Sequence, residues 1–199
     1  MSNRDRGEAA RLLRGLARAV KKAQMRAINR VASKTRTAAS KAIREDVRLP
    51  ASYVNENLKV SQKASINNPE AVITARKRPT RLARYGAKQL ARAAKNASGD
   101  PSRGIGAGRK QAGVSVGVKK GSGRRKKRDA FLMPLKNSGK MGVFVRIGRG
   151  KKDIKHLYGP SVDQVFREVR RDLKPEIPRN LAIEYERQLE NAMREERNR

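Results

Sequence analysis

Apolar residues return every three or four positions between Gly7 and Asp46: Leu13, Leu16, Val20, Ala23, Ala27, Val31, Ala38 and Ala42, with one gap at Lys34 and Thr35. That spacing lines one face of an α-helix. No proline interrupts it, and Gly15 is the only interior glycine. About forty residues rising 1.5 Å each predict a rod of about 60 Å. Its alanine-rich stripe allows close approach of another helix. Leu49-Pro50 ends the element, because the residue before proline disfavours helix, and Pro50 can open a short helix through Ser52, Tyr53 and Val54.

The period then changes. Leu58–Ala64 alternates apolar and polar, Asn67-Asn68-Pro69 is a polar turn, and Ala71–Ala75 is apolar again, which predicts a β-hairpin. Around Leu82 no period is readable; Ala87–Ala94 fits either a short helix or an extended arm. Residues 96–110 read as a flexible loop from their four glycines and Pro101. Strand patterns return at Gly113–Val118, Ala130–Met133 and Val143–Ile147, with Asn137–Lys140 as a hairpin turn. The last forty residues are helical, with Val162, Val165, Phe166, Val169 and Leu173 on one face. Pro175 and Pro178 break or kink the run before Ile177, Leu181, Tyr185, Leu189 and Met193 resume it.

These elements predict an α+β protein in three stretches. Residues 1–48 form a long N-terminal helix. Residues 49–160 hold a small antiparallel β-sheet with long basic loops at 96–110 and 119–128. Residues 161–199 form a C-terminal arm of amphipathic helices. With 4% aromatic residues and no Trp, the core is thin, and neighbouring copies are expected to bury what one chain cannot.

Charge changes the picture most. The chain carries 50 Lys and Arg against 18 Asp and Glu, a formal net charge of +32. The tail from Ser161 onward is neutral, with nine basic and nine acidic residues. Residues 74–128 hold 18 basic residues against Asp100 alone. A surface built only for solubility mixes the signs; so lopsided a block points to a polyanion, most simply the nucleic-acid backbone. Lys119, Lys120, Arg124, Arg125, Lys126, Lys127 and Arg128 are the candidate contacts, since a loop lets long side chains reach phosphates. Arg124–Arg128 taken alone also reads as a solvated loop. No zinc-finger spacing, stacking motif or recognition helix is present, so contact is expected to be blind to sequence.

Catalysis finds no support. His156 is the only histidine and has no carboxylate cluster beside it. Gly104–Gly108 lacks the spacing of a phosphate loop and reads as a linker. Glu45-Asp46, at a helix end where negative charge is unfavourable, is expected to pair with Arg44 or Arg48. Without cysteine, disulfides and thiolate metal sites are excluded, and no cofactor is expected. The first residues do not resemble a signal peptide and no apolar run is long enough to span a bilayer. A soluble, non-enzymatic protein made in the cytoplasm is the expectation.

The stretch Arg26-Ala27-Ile28-Asn29-Arg30-Val31-Ala32-Ser33, followed by Thr37–Ser40 and Ile43–Val47, resembles the N-terminal region of the minor tail protein Z family of lambda-like tailed phages. The hairpin and the closing helix with Glu184–Leu189 fit the same layout, and the likeness is strongest over 20–75 and 159–193. The glycine-rich segment 96–110 has no counterpart. The resemblance implies a virion protein that completes the tail at its head-proximal end, joins head to tail and sits in a ring beside DNA. Its partners would then be other tail and neck proteins and DNA. A competing expectation is a nucleoid- or ribosome-associated nucleic-acid-binding module, which would work as a monomer or dimer. A membrane-surface helix is a weaker fit, because beyond Leu12, Leu13 and Leu16 the first helix offers mainly Ala and Val.

Overall fold

The structure is a computed structural model and describes residues 3–150 and 152–198. It is α+β, with two compact units, each assembled from segments distant in the chain. Unit 1 takes the chain up to Ala39, Leu58–Ala75 and everything from Glu168 onward; unit 2 takes Ser40–Asn57 and Arg76–Arg167.

Helix α1 (Asn3–Asp46) is 44 residues long and contributes to both units. In unit 1 it packs on α4 (Glu176–Arg197), where Ala19, Ala23 and Ala192 are buried together under Tyr185 and Leu189. Small side chains here let the helix backbones come close. The pair is antiparallel, as its ion pairs record. Arg18 meets Glu196 at 3.4 Å, Arg26 meets Glu195 at 2.8 Å and Lys34 meets Glu184 at 3.3 Å. Lys22 also pairs with Glu195, and Arg30 reaches 4.0 Å from Glu184. Arg18, Lys22, Arg26, Arg30 and Lys34 recur every fourth residue, so they form one ridge of the helix surface.

Glu184 is only 3% exposed. Burial raises a carboxyl's pKa, but hydrogen bonds from Gln188, Lys34 and Arg187 outweigh it and hold Glu184 below the ordinary range. Strand β1 (Leu58–Gln62) pairs antiparallel with β2 (Val72–Ala75), the hairpin expected from the alternation. Asn29 secures the chain just past β1: its amide Nδ2 donates to the Ala64 carbonyl at 2.9 Å and its Oδ1 accepts from the Ala64 N–H at 2.8 Å.

Two expected faces shift. Leu13 and Leu16 are 66% and 47% exposed, not part of a buried stripe. Further along, Ala39 and Ile43 are fully buried while Ala38 is exposed and Ala42 half-buried. Turning the helix by one residue buries isoleucine in place of alanine, which removes more apolar area from water.

In unit 2, α2 (Ala51–Asn57) buries Tyr53 and Val54 directly after Pro50. Three small antiparallel sheets follow. Strand β3 (Thr80–Arg81) pairs with β10 (Tyr158–Gly159). Strands β4 (Lys88–Ala93), β5 (Arg109–Val116) and β6 (Arg125–Lys127) form the second sheet, and β7 (Ala130–Pro134), β8 (Met141–Arg146) and β9 (Ile154–His156) the third. Residues 88–93 therefore take the extended alternative and not the helical one.

The glycine-rich segment between β4 and β5 carries its own order. Asp100 and Ile105 exchange backbone hydrogen bonds at 2.7 and 3.0 Å around a 3-10 turn at Pro101–Arg103, and Ile105 is buried. The acidic pair also departs from expectation: Glu45 lies 4.0 Å from Lys41, and Asp46 lies 3.9 Å from Lys119. Helix α3 (Val162–Leu173) starts on a reciprocal cap. The Ser161 hydroxyl accepts from Gln164 N–H at 3.1 Å, and Gln164 Oε1 accepts from Ser161 N–H at 2.8 Å. Pro175 stands between α3 and α4, as the N-cap of α4; Pro178 lies in the first turn of α4, where a missing N–H is tolerated.

The helix pair of unit 1 should weaken in acid. Hydrogen bonds from Arg26 and Lys22 lower the Glu195 pKa from 4.5 to about 2. A depressed carboxylate stabilises the fold above its unfolded pKa and loses that contribution as pH falls through the folded value. The expected window is therefore pH 4.5 down to about 2. Urea midpoints followed by circular dichroism across this window should fall more steeply for the native chain than for Glu195→Gln. Parallel curves would contradict the assignment.

Candidate nucleic-acid interface

The carboxylates are unevenly divided. Unit 1 uses Glu184, Glu195 and Glu196 to neutralise the α1 ridge. Unit 2 carries 29 basic residues and only 7 acidic ones. Its bases decide whether a polyanion surface exists.

The seven residues expected from the sequence do not share one role. Lys119 forms an isolated β-bridge with Val47, and its ammonium lies 3.9 Å from Asp46. Lys120 gives its backbone N–H to the Asp46 carbonyl at 2.8 Å and keeps its side chain exposed. Arg124 is a clip. Its Nε donates to Ser115 Oγ at 3.0 Å, and its Nη2 donates to the Ser115 and Gly86 carbonyls at 2.8 and 2.5 Å. Arg125, Lys126 and Lys127 form β6, an edge strand and not a loop.

Successive side chains of a strand point to opposite faces, so β6 divides its charges. Arg125 and Lys127 line a depression of about 280 Å³ together with Leu82, Val116 and Lys119. Lys126 stands on the other face. Arg128 follows the strand and is exposed.

Lys126 does not stand alone. It is the register partner of Ser115 on β5, and Ser115 is the partner of Lys88 on β4. Cross-strand partners share a face. On β4, Lys88, Leu90 and Arg92 alternate onto that same face, and Arg92 sits directly opposite Lys110. One sheet face thus carries Lys88, Arg92, Lys110 and Lys126, all exposed. None of the four has an ion-pair partner among the described residues. The opposite face is packed: Val114 is fully buried, and the Gln89 amide donates to Gly113 O at 2.8 Å and accepts from Leu132 N–H at 2.9 Å.

Gly113 makes this sheet possible. Its φ is +100°, and a Cβ there would run into the backbone of Lys127 and Arg128. The resulting bulge places Ala112 and Gly113 opposite Leu90 and brings β6 against β5. Lys88 and Arg92 escaped the sequence reading because 88–93 offered no clear period, and Lys110 because 96–110 reads as a flexible loop. The alternation of Lys88, Leu90 and Arg92 was the available signal.

The sequence model of the prophage minor tail protein Z (GPZ) family matches residues 6–197. The chain belongs to this family. Both regions of strongest resemblance, 20–75 and 159–193, lie inside the match. No curated protein and no solved structure matches the chain. Membership of the minor tail protein Z family makes it a structural protein of the phage tail. Among the described residues, no helix is long and apolar enough to cross a membrane, and no group of His, Asp and Glu could hold a metal ion.

Within this tail protein, the clip and the free face separate by mutation. Arg124→Gln should cost about 1 kcal/mol, because its three bonds are exposed and partly screened. Lys126→Gln should change stability by less than about 0.5 kcal/mol. Urea denaturation of the two variants checks the difference, and equal losses would remove the distinction.

Proposed function

We propose that this tail protein completes the tail at its head-proximal end, assembles as a ring, and turns unit 2 toward the DNA backbone without reading sequence. The observation that carries the DNA contact is the sheet face of Lys88, Arg92, Lys110 and Lys126. Like charges directly opposite each other, as Arg92 and Lys110 are, destabilise a strand pair. A bound polyanion reverses that cost. Arg125, Lys127 and Lys119 add positive charge in the depression on the other face, and Lys120 and Arg128 are exposed nearby in the chain. Arg124 belongs to the framework that holds it. Lysines along an edge strand also deter edge-to-edge pairing, which suits a protein that must assemble by other surfaces.

Support for the ring comes from unit 1. Among the described residues, Arg18 is the first of α1 with an ion pair to α4. In the turns before it, Leu12, Leu13 and Leu16 are 69%, 66% and 47% exposed. A thin core and three exposed leucines on one helix suit burial against a neighbouring copy.

Anisotropy titrations with a short duplex between about 50 and 200 mM salt test the DNA contact. The slope of log affinity against log salt should fall by about 3 to 4 when Lys88, Arg92, Lys110 and Lys126 are all replaced by Gln. An unchanged slope would reject the sheet face as the contact. Sedimentation tests the ring. The native chain should sediment as a closed oligomer, and Leu13→Ser with Leu16→Ser should shift it toward monomer. A native chain that stays monomeric at all concentrations would reject self-assembly through α1.

A further inference from the structure

A second basic feature of unit 2 lies away from the sheet face and was not singled out by the sequence. Arg76, Arg78, Arg81 and Arg84 line one pocket of about 260 Å³, and no carboxylate lines it. Four guanidiniums around so small a space repel one another, and arginine remains charged at any physiological pH. Their forks match the oxygens of a phosphate or carboxylate.

The pocket is built and not merely exposed. Arg81 and Tyr158 are direct register partners across β3 and β10, so they share a face. The strand pair is locked from behind by Tyr85, whose hydroxyl donates to the Pro160 carbonyl at 2.6 Å. Burial pushes that phenol up to about 12, so it stays a donor. Gly159 has no room for a Cβ, since the Tyr85 ring would lie 2.7 Å from it. Arg84 stacks on Tyr53, its guanidinium carbon 4.2 Å from the ring centroid. Arg76 is steadied by Asn57, to which its Nη1 donates at 3.3 Å.

One wall is aromatic. Phe131, Phe144, His156 and Tyr158 follow one another with ring centroids 6.1, 4.5 and 4.5 Å apart. The first two rings are buried, and the last is half exposed at the pocket. A row anchored in the core gives His156 and Tyr158 fixed orientations, which a stacking ligand needs. An anion with a flat ring attached meets both halves of this chemistry: guanidiniums for the charge, ring faces for the base. The volume lies just below the roughly 300–1,000 Å³ of sites for larger ligands, so it suits a single unit and not an extended strand.

We infer that this pocket binds the terminal phosphate of a nucleotide, with Arg76, Arg78, Arg81 and Arg84 taking the phosphate and Tyr158, backed by His156, taking the base. Free nucleotide and the phosphorylated end of a DNA strand present the same group. The inference does not rest on the sheet face, whose residues are separate.

His156 is the only histidine in the chain, so a single imidazole resonance reports on the pocket. Burial and then the charge of Arg81 hold its pKa below 6.5. An anion among the four arginines offsets the second effect and raises it. Proton NMR of the full chain should show the His156 midpoint move up on saturation with deoxyadenosine 5′-monophosphate. Binding should be about tenfold tighter than for inorganic phosphate, from stacking, and about tenfold or more weaker in Arg81→Gln. Arg78→Gln, at an exposed position with no packing role, should weaken it similarly and guards against misfolding of the first variant. A 5′-phosphorylated duplex should move the midpoint more than its unphosphorylated twin if strand ends are the source; equal duplexes with a responsive mononucleotide assign the site to free nucleotide. An unmoved midpoint at millimolar nucleotide, or full binding by both arginine variants, would overturn the inference. Equal affinity for inorganic phosphate and nucleotide would overturn the base contact. The quadruple Gln variant of the sheet face should keep the response, so failure of one site is distinguishable from failure of the other.

Discussion

The carboxylates of α4 set against the basic ridge of α1 are the interaction on which unit 1 depends. Five cations at four-residue spacing repel one another along the helix, by a few tenths of a kcal/mol per neighbouring pair. Glu184, Glu195 and Glu196 reverse the sign of that energy and fix the direction and register of the helix pair. Alanine contact alone would not, because small side chains slide over one another easily. Glu184 shows how far the demand goes. It is buried, which is costly for a carboxylate without partners, and it is satisfied by Lys34, Arg187 and Gln188. Removing it would strand several cations at once.

The same scarcity of acids shapes unit 2 differently. Its sheets have two or three strands each, and sheets that small bury little apolar surface. Polar side chains bonded to backbone groups supply the missing cohesion. Arg124 ties β6 to β5 and to Gly86, Gln89 ties β4 to β5 and β7, and Ser161 with Gln164 starts α3. Several arginines therefore serve as structural donors. Net charge counts them together with cations that face solvent, so +32 overstates what a polyanion can meet. Two groups of four stand out among the remainder, one on a sheet face and one around a pocket.

Much of this was legible in the chain, and the gaps have physical causes. α1, α2, the first hairpin and α3 follow from periodicity and proline placement because each is governed by local preference. The ridge from Arg18 to Lys34 was also available as a four-residue repeat, but its meaning lies in the α4 carboxylates far away in sequence. β4 was ambiguous because Lys88–Ala93 pairs alanine and leucine with long basic chains that suit helix equally well; only pairing with β5 decides it. The order within 96–110 rests on backbone hydrogen bonds between Asp100 and Ile105 and on one buried isoleucine among glycines. The four-arginine pocket was not readable at all, since β3 and β10, which carry Arg81 and Tyr158, are nearly eighty residues apart.

Geometry also limits what the sheet face can do. Lys88 to Arg92 spans about 13 Å along β4, and β4 to β6 spans about 10 Å across the sheet. Duplex DNA carries one charge per 1.7 Å of axis, so about eight phosphate charges pass such a face, only part of them on its side. Four cations can neutralise a share of these and cannot wrap the duplex. One subunit alone would thus make a weak, salt-sensitive contact that any sequence satisfies equally. Copies arranged about a common axis would multiply that contact while leaving each one weak, and a strand held this way remains free to move along the axis. For the proposed role beside DNA in passage, a flat face of solvated lysine and arginine would suit better than a tight groove.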